Sequence, residues 1–359
     1  MKKRIYLLYG GKSAEHEVSM RTALSVIQAL DFSKYEVSPV YITKEGNWIK
    51  KDALLEPPKM VDELKLQSET TMNALVEINK EIVRAIENNE QLPIVFPLLH
   101  GPNGEDGTVQ GLLEILNLPY VGNGVLASAA GMDKVVMKHL FAQAGLPQVH
   151  YLSFNRFEWE TNEKEAYDLV EAEIGYPCFV KPANLGSSVG ITKCQTREQL
   201  QQAFVEAFQF DRKIIIEQGV EAREIEIGLL GNEQPKCSVA GEIVPKADFY
   251  DYQAKYEDGN TALIIPADIP QDVYEQIKEI ALKAFKVLNC SGLVRADFFV
   301  TKTDDVLINE VNTMPGFTPV SMYPLLWKHT GVDYSDLIDQ LIEYGCELYQ
   351  EKQKIRYTI

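Results

Sequence analysis

The first third of the chain alternates strand-like and helix-like segments, and that order most restricts what it can fold into. Apolar runs at residues 4–9, 36–43 and 92–98 read as strands, and amphipathic stretches at 17–30, 72–87 and 108–116 read as helices. Strands joined through helices pair in parallel, so this order predicts a doubly wound parallel sheet in an α/β protein. Ligands of such sheets gather beyond the carboxyl ends of the strands. Two conspicuous loops fall there, Gly10-Gly11-Lys12-Ser13-Ala14-Glu15-His16-Glu17 and His100-Gly101-Pro102-Asn103-Gly104-Glu105-Asp106-Gly107. A chain of 359 residues is too long for one ordinary core, so further domains are expected.

The pattern changes near Val121-Gly122-Asn123-Gly124. A helix at 133–144, strands at 151–154, 178–182, 189–194 and 213–218, and a helix at 197–208 make a mixed α/β unit of about a hundred residues, within the usual domain range. Strands follow at 223–230 and 237–244. Residues 245–261, with Phe249, Tyr250, Tyr252 and Tyr256, show no periodicity, and a loop of that length reads as a lid. A helix at 271–288, a pair of strands at 293–300 and 306–312, and a helix at 334–350 complete the chain.

The late strand pair carries the clearest chemistry. Thr301-Lys302-Thr303-Asp304-Asp305 is a polar turn, and centring it between Thr303 and Asp304 sets Asp297 opposite Glu310 and Arg295 opposite Asn312. Alternation projects all four from one face, leaving Val294, Ala296, Phe298, Val300, Leu307 and Val311 for the core. Opposed carboxylates destabilise a sheet unless something positive lies between them. Two carboxylates with an amide form an oxygen-only site for a hard dication, with Mg²⁺ completing its shell from phosphates. The competing reading is a surface hairpin with a solvated polar face.

The phosphate signals are unequal. Gly11-Lys12-Ser13 invites a P-loop, but Tyr6 stands where the motif's first glycine belongs. A dinucleotide fingerprint fails as well, because no spaced glycine follows. The better candidate is Lys181-Pro182-Ala183-Asn184-Leu185-Gly186-Ser187-Ser188-Val189-Gly190, between two expected strands. Gly186 admits close backbone approach, the serines donate, and Lys181 supplies charge. An ordinary Gly-Ser hairpin explains the same residues equally well without the carboxylates nearby.

Composition bounds the partners. The formal net charge of −17 disfavours nucleic acid. The start, Met1-Lys2-Lys3-Arg4, precedes an apolar run too short for a signal peptide, and no stretch approaches a membrane span. Cys178, Cys194, Cys237, Cys290 and Cys346 are odd in number and form no close pairs in sequence, which argues against a disulfide framework or a zinc site. A cytoplasmic location is expected.

Seven stretches, in order, resemble the D-alanine–D-alanine ligases of the ATP-grasp superfamily. They are residues 10–19, 100–107, 132–134, 181–190, 250–256, 295–297 and 309–316, and together they span almost the whole chain. The resemblance implies a three-domain ATP-grasp fold, with an N-terminal substrate domain at 1–122, a central subdomain at 123–217 and a C-terminal subdomain at 218–359 that carries the lid. It implies that ATP phosphorylates one D-alanine, that the amine of a second attacks the acylphosphate, and that the dipeptide feeds peptidoglycan synthesis in the cell wall. It implies a homodimer and two Mg²⁺ or Mn²⁺ ions, and leaves a monovalent cation open.

Residue by residue, the resemblance makes Asp297, Glu310 and Asn312 the metal ligands. Lys134, Lys181 and Lys255 are similar to nucleotide-binding lysines, Ser187 and Ser188 belong to the phosphate loop, and Glu217, Gln218, Val220 and Glu224 match the segment that holds adenine and ribose. Glu15 resembles the partner of the first substrate's ammonium, linked through Ser187 and Tyr256 to the lid. His100 lies near that substrate with a role in proton handling. Arg295 and the Gly316 N–H resemble oxyanion donors, a type of group worth about 3 kcal/mol each. Ser321 resembles the acceptor of the second substrate's carboxylate, with Met322 beside it where the family usually has Leu, a swap that conserves volume. Tyr256 favours a dipeptide over a D-alanine–D-lactate ester. Residues 46–89 are a family-variable insertion. The rivals are a D-alanine–D-lactate ligase, another ATP-grasp carboxylate–amine ligase, and a nucleotide-binding regulatory module without turnover.

Overall fold

The apolar run Lys3–Gly10 becomes the inner strand of a sheet buried on both faces, as its near-continuous hydrophobicity requires. The computed structural model describes residues 2–67, 74–186, 189–244 and 262–356. The first sheet runs β3 (Trp48–Lys50), β2 (Tyr35–Ile42), β1 (Lys3–Gly10), β4 (Ile94–Pro97). Both β2 and β4 pair in parallel with β1, and the short β3 adds antiparallel at the edge. Helix α1 (His16–Ala29) packs Met20, Ala23, Val26 and Ile27 on one face. Helices α2 (Ala74–Glu87) and α3 (Thr108–Ile115) cover the other with Ile78, Ile82, Val109 and Leu113. The sheet is therefore doubly wound. Leu64, in a 3₁₀ turn at Val61–Leu64, enters the first core and its carbonyl accepts from the Tyr9 hydroxyl at 3.0 Å.

Two helices follow, α4 (Val125–Met132) and α5 (Lys134–Gln143). The second sheet is antiparallel throughout, in the order β5 (Tyr151–Asn155), β8 (Lys213–Gln218), β6 (Cys178–Pro182), β7 (Thr192–Cys194). Helices α6 (Arg156–Thr161), α7 (Glu163–Glu173) and α8 (Arg197–Phe210) cover it with Trp159, Tyr167, Phe204 and Phe208. The strand expected at 189–194 starts only at Thr192, because Gly190 turns with φ +71° and Val189 N–H bonds back to Gly186. Cysteines distant in sequence meet here: Cys178 and Cys194 are direct cross-strand partners, and both are free thiols.

The third sheet is also antiparallel, in the order β11 (Ala262–Ile264), β10 (Lys236–Val244), β9 (Ala222–Gly231), β12 (Gly292–Thr301), β13 (Val306–Asn312). Helix α9 (Gln271–Val287) lays Val273, Ile277, Ala281, Ala284 and Phe285 on it, one stripe at helical spacing. Helices α4 and α5 share this core through Ala127, Ala130, Met137 and Phe141. Helices α10 (Met322–His329) and α11 (Tyr334–Gln353) close the chain, and Leu337, Ile338, Leu341 and Ile342 of α11 join the core of the first sheet. Among the described residues no helix is long and apolar enough to cross a membrane.

Candidate active site

The strands β12 and β13 pair as the sequence predicts at the polar positions: Asp297 faces Glu310 and Arg295 faces Asn312. The reason differs in detail. Thr301 N–H bonds to the Asp305 carbonyl, and Asp304 takes φ +62°, so the loop has three residues and centres on Thr303. Near the turn Phe298 therefore faces Ile308 and Val300 faces Val306. A bulge at Asn309 then restores the predicted register beyond it. It also exchanges the faces before the bulge. Val306 and Ile308 enter the core and Leu307, expected there, is only half-buried.

On its other side Asp297 faces Glu226 of β9. Three carboxylates thus stand in a row across three strands, an arrangement that needs cations. Arg295 supplies one. Its Nε and Nη2 donate to the two oxygens of Asp297 at 2.8 and 2.7 Å, and its Nε lies 3.0 Å from Glu226 Oε2. Burial opposes the charge, but Asp297 and Glu226 outweigh it and hold the guanidinium protonated more firmly than usual. Lys134 supplies the second cation, its ammonium 3.2 Å from Glu310 Oε2. Glu226 was not singled out in the sequence; alternation along β9 places it, but nothing there signals its burial.

Lysines converge on the same region from α5 and β6. Asp133 caps α5, accepting from the N–H groups of Val135 and Val136 at 3.1 Å each. The Lys134 N–H bonds to the Ala183 carbonyl and its ammonium to the Leu185 carbonyl at 3.0 Å, so the helix start grips the candidate phosphate loop. Lys181 Nζ lies 2.5 Å from Glu217 Oε2. Lys138, absent from the sequence reading, lies 2.9 Å from Glu217 Oε1. Burial alone would raise the Glu217 pKa; Lys138 and Lys181 overcome it and hold the carboxyl down to about 2. Gln218 is exposed at the end of β8, with Val220 and Glu224 half-buried beyond it. Ser187, Ser188, Lys255 and Tyr256 lie outside the described residues, as does the whole expected lid, 245–261.

The two loops of the first sheet meet, as the ligand crevice of such a sheet demands. Ser13 Oγ accepts from the Glu15 N–H at 3.1 Å and donates to the His100 carbonyl at 2.8 Å. A Cβ on Gly101 would stand 2.8 Å from Glu15 Oε2, and one on Gly186 would stand 3.8 Å from the same atom. Glu15 therefore lies between the first-sheet loop and the phosphate loop. His100 is buried, its Nδ1 3.1 Å from Glu105 Oε1. Burial works against its proton, but Glu105 and the nearby Glu15 hold its pKa above the usual value.

Past β13, Asn312 Oδ1 accepts from the Met314 N–H at 3.1 Å and shapes the turn toward Gly316. A Cβ on Gly316 would meet Ser321 Oγ at 3.3 Å, so these two predicted residues are neighbours. Ser321 Oγ is 2.8 Å from Thr318 Oγ1. Met322 points into a small core with Ile243 and Leu326. Buried Asn123, also unanticipated, donates to the carbonyls of Leu293 and Thr313 at 2.7 and 2.8 Å and ties the stretch that follows the first sheet to the hairpin.

No group of three or more His, Cys, Asp or Glu side chains stands together as a metal site among the described residues. The predicted trio has two carboxylates and one amide. Its oxygen-only donor set still suits a hard dication, since an oxygen accepting one guanidinium bond keeps a further lone pair.

The chain as a whole has recognised counterparts. A family model described as D-ala D-ala ligase N-terminus matches residues 4–123, and one described as D-ala D-ala ligase C-terminus matches residues 140–343. A D-alanine--D-alanine ligase of Bacillus licheniformis is 59% identical over 360 residues, covering 100% of both chains. The structure of the D-alanine-D-alanine ligase from Coxiella burnetii aligns with a TM-score of 0.80 at 33% identity, covering 98% of this chain and 96% of that one. The VanG D-Ala:D-Ser ligase from Enterococcus faecalis aligns at 0.82 and 33%, covering 96% and 100%.

Proposed function

The chain belongs to the D-alanine–D-alanine ligase family, and from that membership we propose how its own residues join two D-alanine molecules with ATP. The fold is ATP-grasp, and the reaction is an ATP-dependent ligation that serves peptidoglycan synthesis. The domains in this reading are 1–122, 123–217 and 218–359.

ATP lies between the second and third sheets, with Lys134 and Lys181 on its phosphates and Glu217, Gln218, Val220 and Glu224 toward adenine and ribose. Lys255 and the Ser187–Ser188 loop complete that cradle. Asp297, Glu310 and Asn312 would hold two Mg²⁺ or Mn²⁺ ions, which supply charge neutralisation where a carboxylate meets a triphosphate. The first D-alanine binds with its ammonium on Glu15, and His100 lies near it with a role in proton handling. That carboxylate attacks the γ-phosphorus, forming the acyl–phosphate bond and breaking the bond to ADP. The amine of the second D-alanine, oriented by Ser321, then attacks the acyl carbon. Arg295 and the Gly316 N–H donate to the oxyanion of the tetrahedral intermediate. Its collapse expels phosphate and leaves the peptide bond. Met322 contributes from beneath Ser321 by packing.

The observation that carries this reading is the row Glu226–Asp297–Glu310, held by Arg295 and Lys134 beside the Lys181–Glu217 pair. Like charges in register are costly unless a site uses them. The test is product analysis of the purified protein with ATP, Mg²⁺ and D-alanine. Equal amounts of ADP and D-alanyl-D-alanine are expected; absence of D-alanine-dependent ADP formation would sink the reading. Offering D-lactate or D-serine as the second substrate tests specificity. Tyr256 favours the dipeptide, so Tyr256→Phe is expected to raise the ester-to-peptide ratio at neutral pH. The enzyme is cytoplasmic and homodimeric in this reading. Its five free cysteines suit a reducing compartment, and light scattering of the purified chain tests the dimer.

A further inference from the structure

Lys138 is 1% exposed, and a buried ammonium needs partners. Its partners belong to two different sheets. On one side it lies 2.9 Å from Glu217 Oε1 at the end of β8, while Lys181 takes the other oxygen of the same carboxylate. On the other side it donates to the Asn309 carbonyl of β13 at 3.3 Å. Asn309 is the bulge residue that sets Glu310 opposite Asp297.

The surroundings reinforce this link. Strand β13 is the edge of its sheet, and an edge leaves backbone groups in need of partners. The Ile308 N–H bonds to the Pro147 carbonyl at 2.8 Å, and the Val311 N–H is 3.3 Å from Met137 Sδ. Gln148 Nε2 donates to the Lys138 carbonyl at 2.9 Å. Residues 137–148 thus clasp the outer edge of β13, and Lys138 is the member of the clasp that also reaches the second sheet.

We propose that Lys138 is a positioning residue, which fixes the spacing between the nucleotide lysine on the second sheet and the metal-binding carboxylates on the third by holding Glu217 and the Asn309 carbonyl at once. It touches neither substrate nor metal. The inference rests on the ligase reading, because that reading gives Lys181, Glu310 and Asp297 their ligands. Losing the ammonium lets the two half-sites drift. Nucleotide and metal binding weaken together, while the D-alanine pocket, built on Glu15 and His100, keeps its shape.

The experiment compares Lys138→Met and Lys138→Arg with the wild type in steady-state kinetics and in titration with a fluorescent ATP analogue, with and without Mg²⁺. Lys138→Met is expected to raise the ATP KM and the half-saturating Mg²⁺ concentration about tenfold, with the D-alanine KM changed less than twofold. Lys138→Arg is expected to fall between. The analogue is expected to bind Lys138→Met about tenfold more weakly in the presence of Mg²⁺. Unchanged ATP and Mg²⁺ dependence, a fall in kcat alone, or an equal rise in the D-alanine KM would overturn the proposal. If Lys138→Met fails to fold by circular dichroism, Lys138→Gln, which keeps a hydrogen-bond donor but is too short to hold both partners, takes its place. Wild-type-like ATP and Mg²⁺ dependence in that variant overturns the proposal, and a tenfold shift supports it. Failure of every variant to fold also overturns it, by making Lys138 a folding residue. A wild type without D-alanine-dependent ADP formation would instead defeat the ligase reading, and the analogue titration would still judge Lys138.

Discussion

Arg295 closes on Asp297 with two parallel bonds, Nε at 2.8 Å and Nη2 at 2.7 Å, from a position two residues earlier on the same strand. The pair faces neither solvent nor core but the row of carboxylates between Glu226 and Glu310. Arg295→Lys keeps the charge and loses the planar fork. If Arg295 both orients Asp297 and stabilises the tetrahedral oxyanion, kcat falls about a hundredfold, corresponding to about 3 kcal/mol. Quenched-flow measurement of ADP and dipeptide checks this. A kcat within twofold of the wild type would remove Arg295 from the mechanism.

Glu310 stands between Asp297 and the Lys134 ammonium at 3.2 Å. Glu310→Gln keeps the shape and removes the charge, so Lys134 loses its counter-ion and the proposed metal site loses a carboxylate. The expected outcome is a Mg²⁺ requirement raised at least about tenfold, partly relieved by Mn²⁺, since hard dications depend on ligand charge. Activity titrated against free Mg²⁺ at saturating ATP measures it. An unchanged requirement would place the metal elsewhere.

The His100–Glu105 pair gives a pH signature. Burial favours a neutral imidazole, yet Glu105 at 3.1 Å and Glu15 hold the His100 pKa above its ordinary 6.5. A group whose folded pKa exceeds its unfolded one contributes stability that is fully present below the unfolded pKa. That contribution is lost as pH rises through the folded pKa. The imidazole resonance of His100 is expected to titrate at lower pH in Glu105→Gln than in the wild type. In urea unfolding, the stability gap between wild type and variant is expected to narrow from pH 6 toward pH 9. A gap that stays constant across that range would show that the imidazole carries no charge in the fold.

Much of this site could be read from the chain because period-two alternation puts Arg295 with Asp297 and Glu310 with Asn312, and a register that sets Asp297 opposite Glu310 brings all four to one face. The bulge at Asn309 was not legible, because one extra residue leaves no mark on composition while it swaps Leu307 for Ile308 in the core. Lys138 and Glu226 were missed for a related reason. Each reads as an ordinary solvated charge, and only partners remote in sequence, Glu217 and Arg295, explain their burial. Helix α4, Val-Leu-Ala-Ser-Ala-Ala-Gly-Met, is apolar almost all round and shows no helical stripe. Helix α6 did carry a readable signal, since Asn155 and Glu158 form a capping box. Cys178 and Cys194 meet only because β7 returns beside β6.

Gly101 offers the sharpest separation of the two substrate pockets. Its φ of +76° lies in the left-handed region, and an added Cβ would come within 2.8 Å of Glu15 Oε2. Gly101→Ala therefore acts in two ways. The backbone strain costs about 1–2 kcal/mol of stability, and the methyl group pushes the carboxylate from the place where the first D-alanine's ammonium is proposed to bind. Neither effect reaches Lys181 or Glu310, which stand on other sheets. The expected result is a D-alanine KM raised about tenfold or more, with the ATP KM and the Mg²⁺ requirement unchanged. Initial-rate kinetics with each substrate varied in turn decide it. If ATP binding weakens as much as D-alanine binding, Glu15 does not receive the amino acid alone, and the assignment of the first pocket to the loops of the first sheet fails.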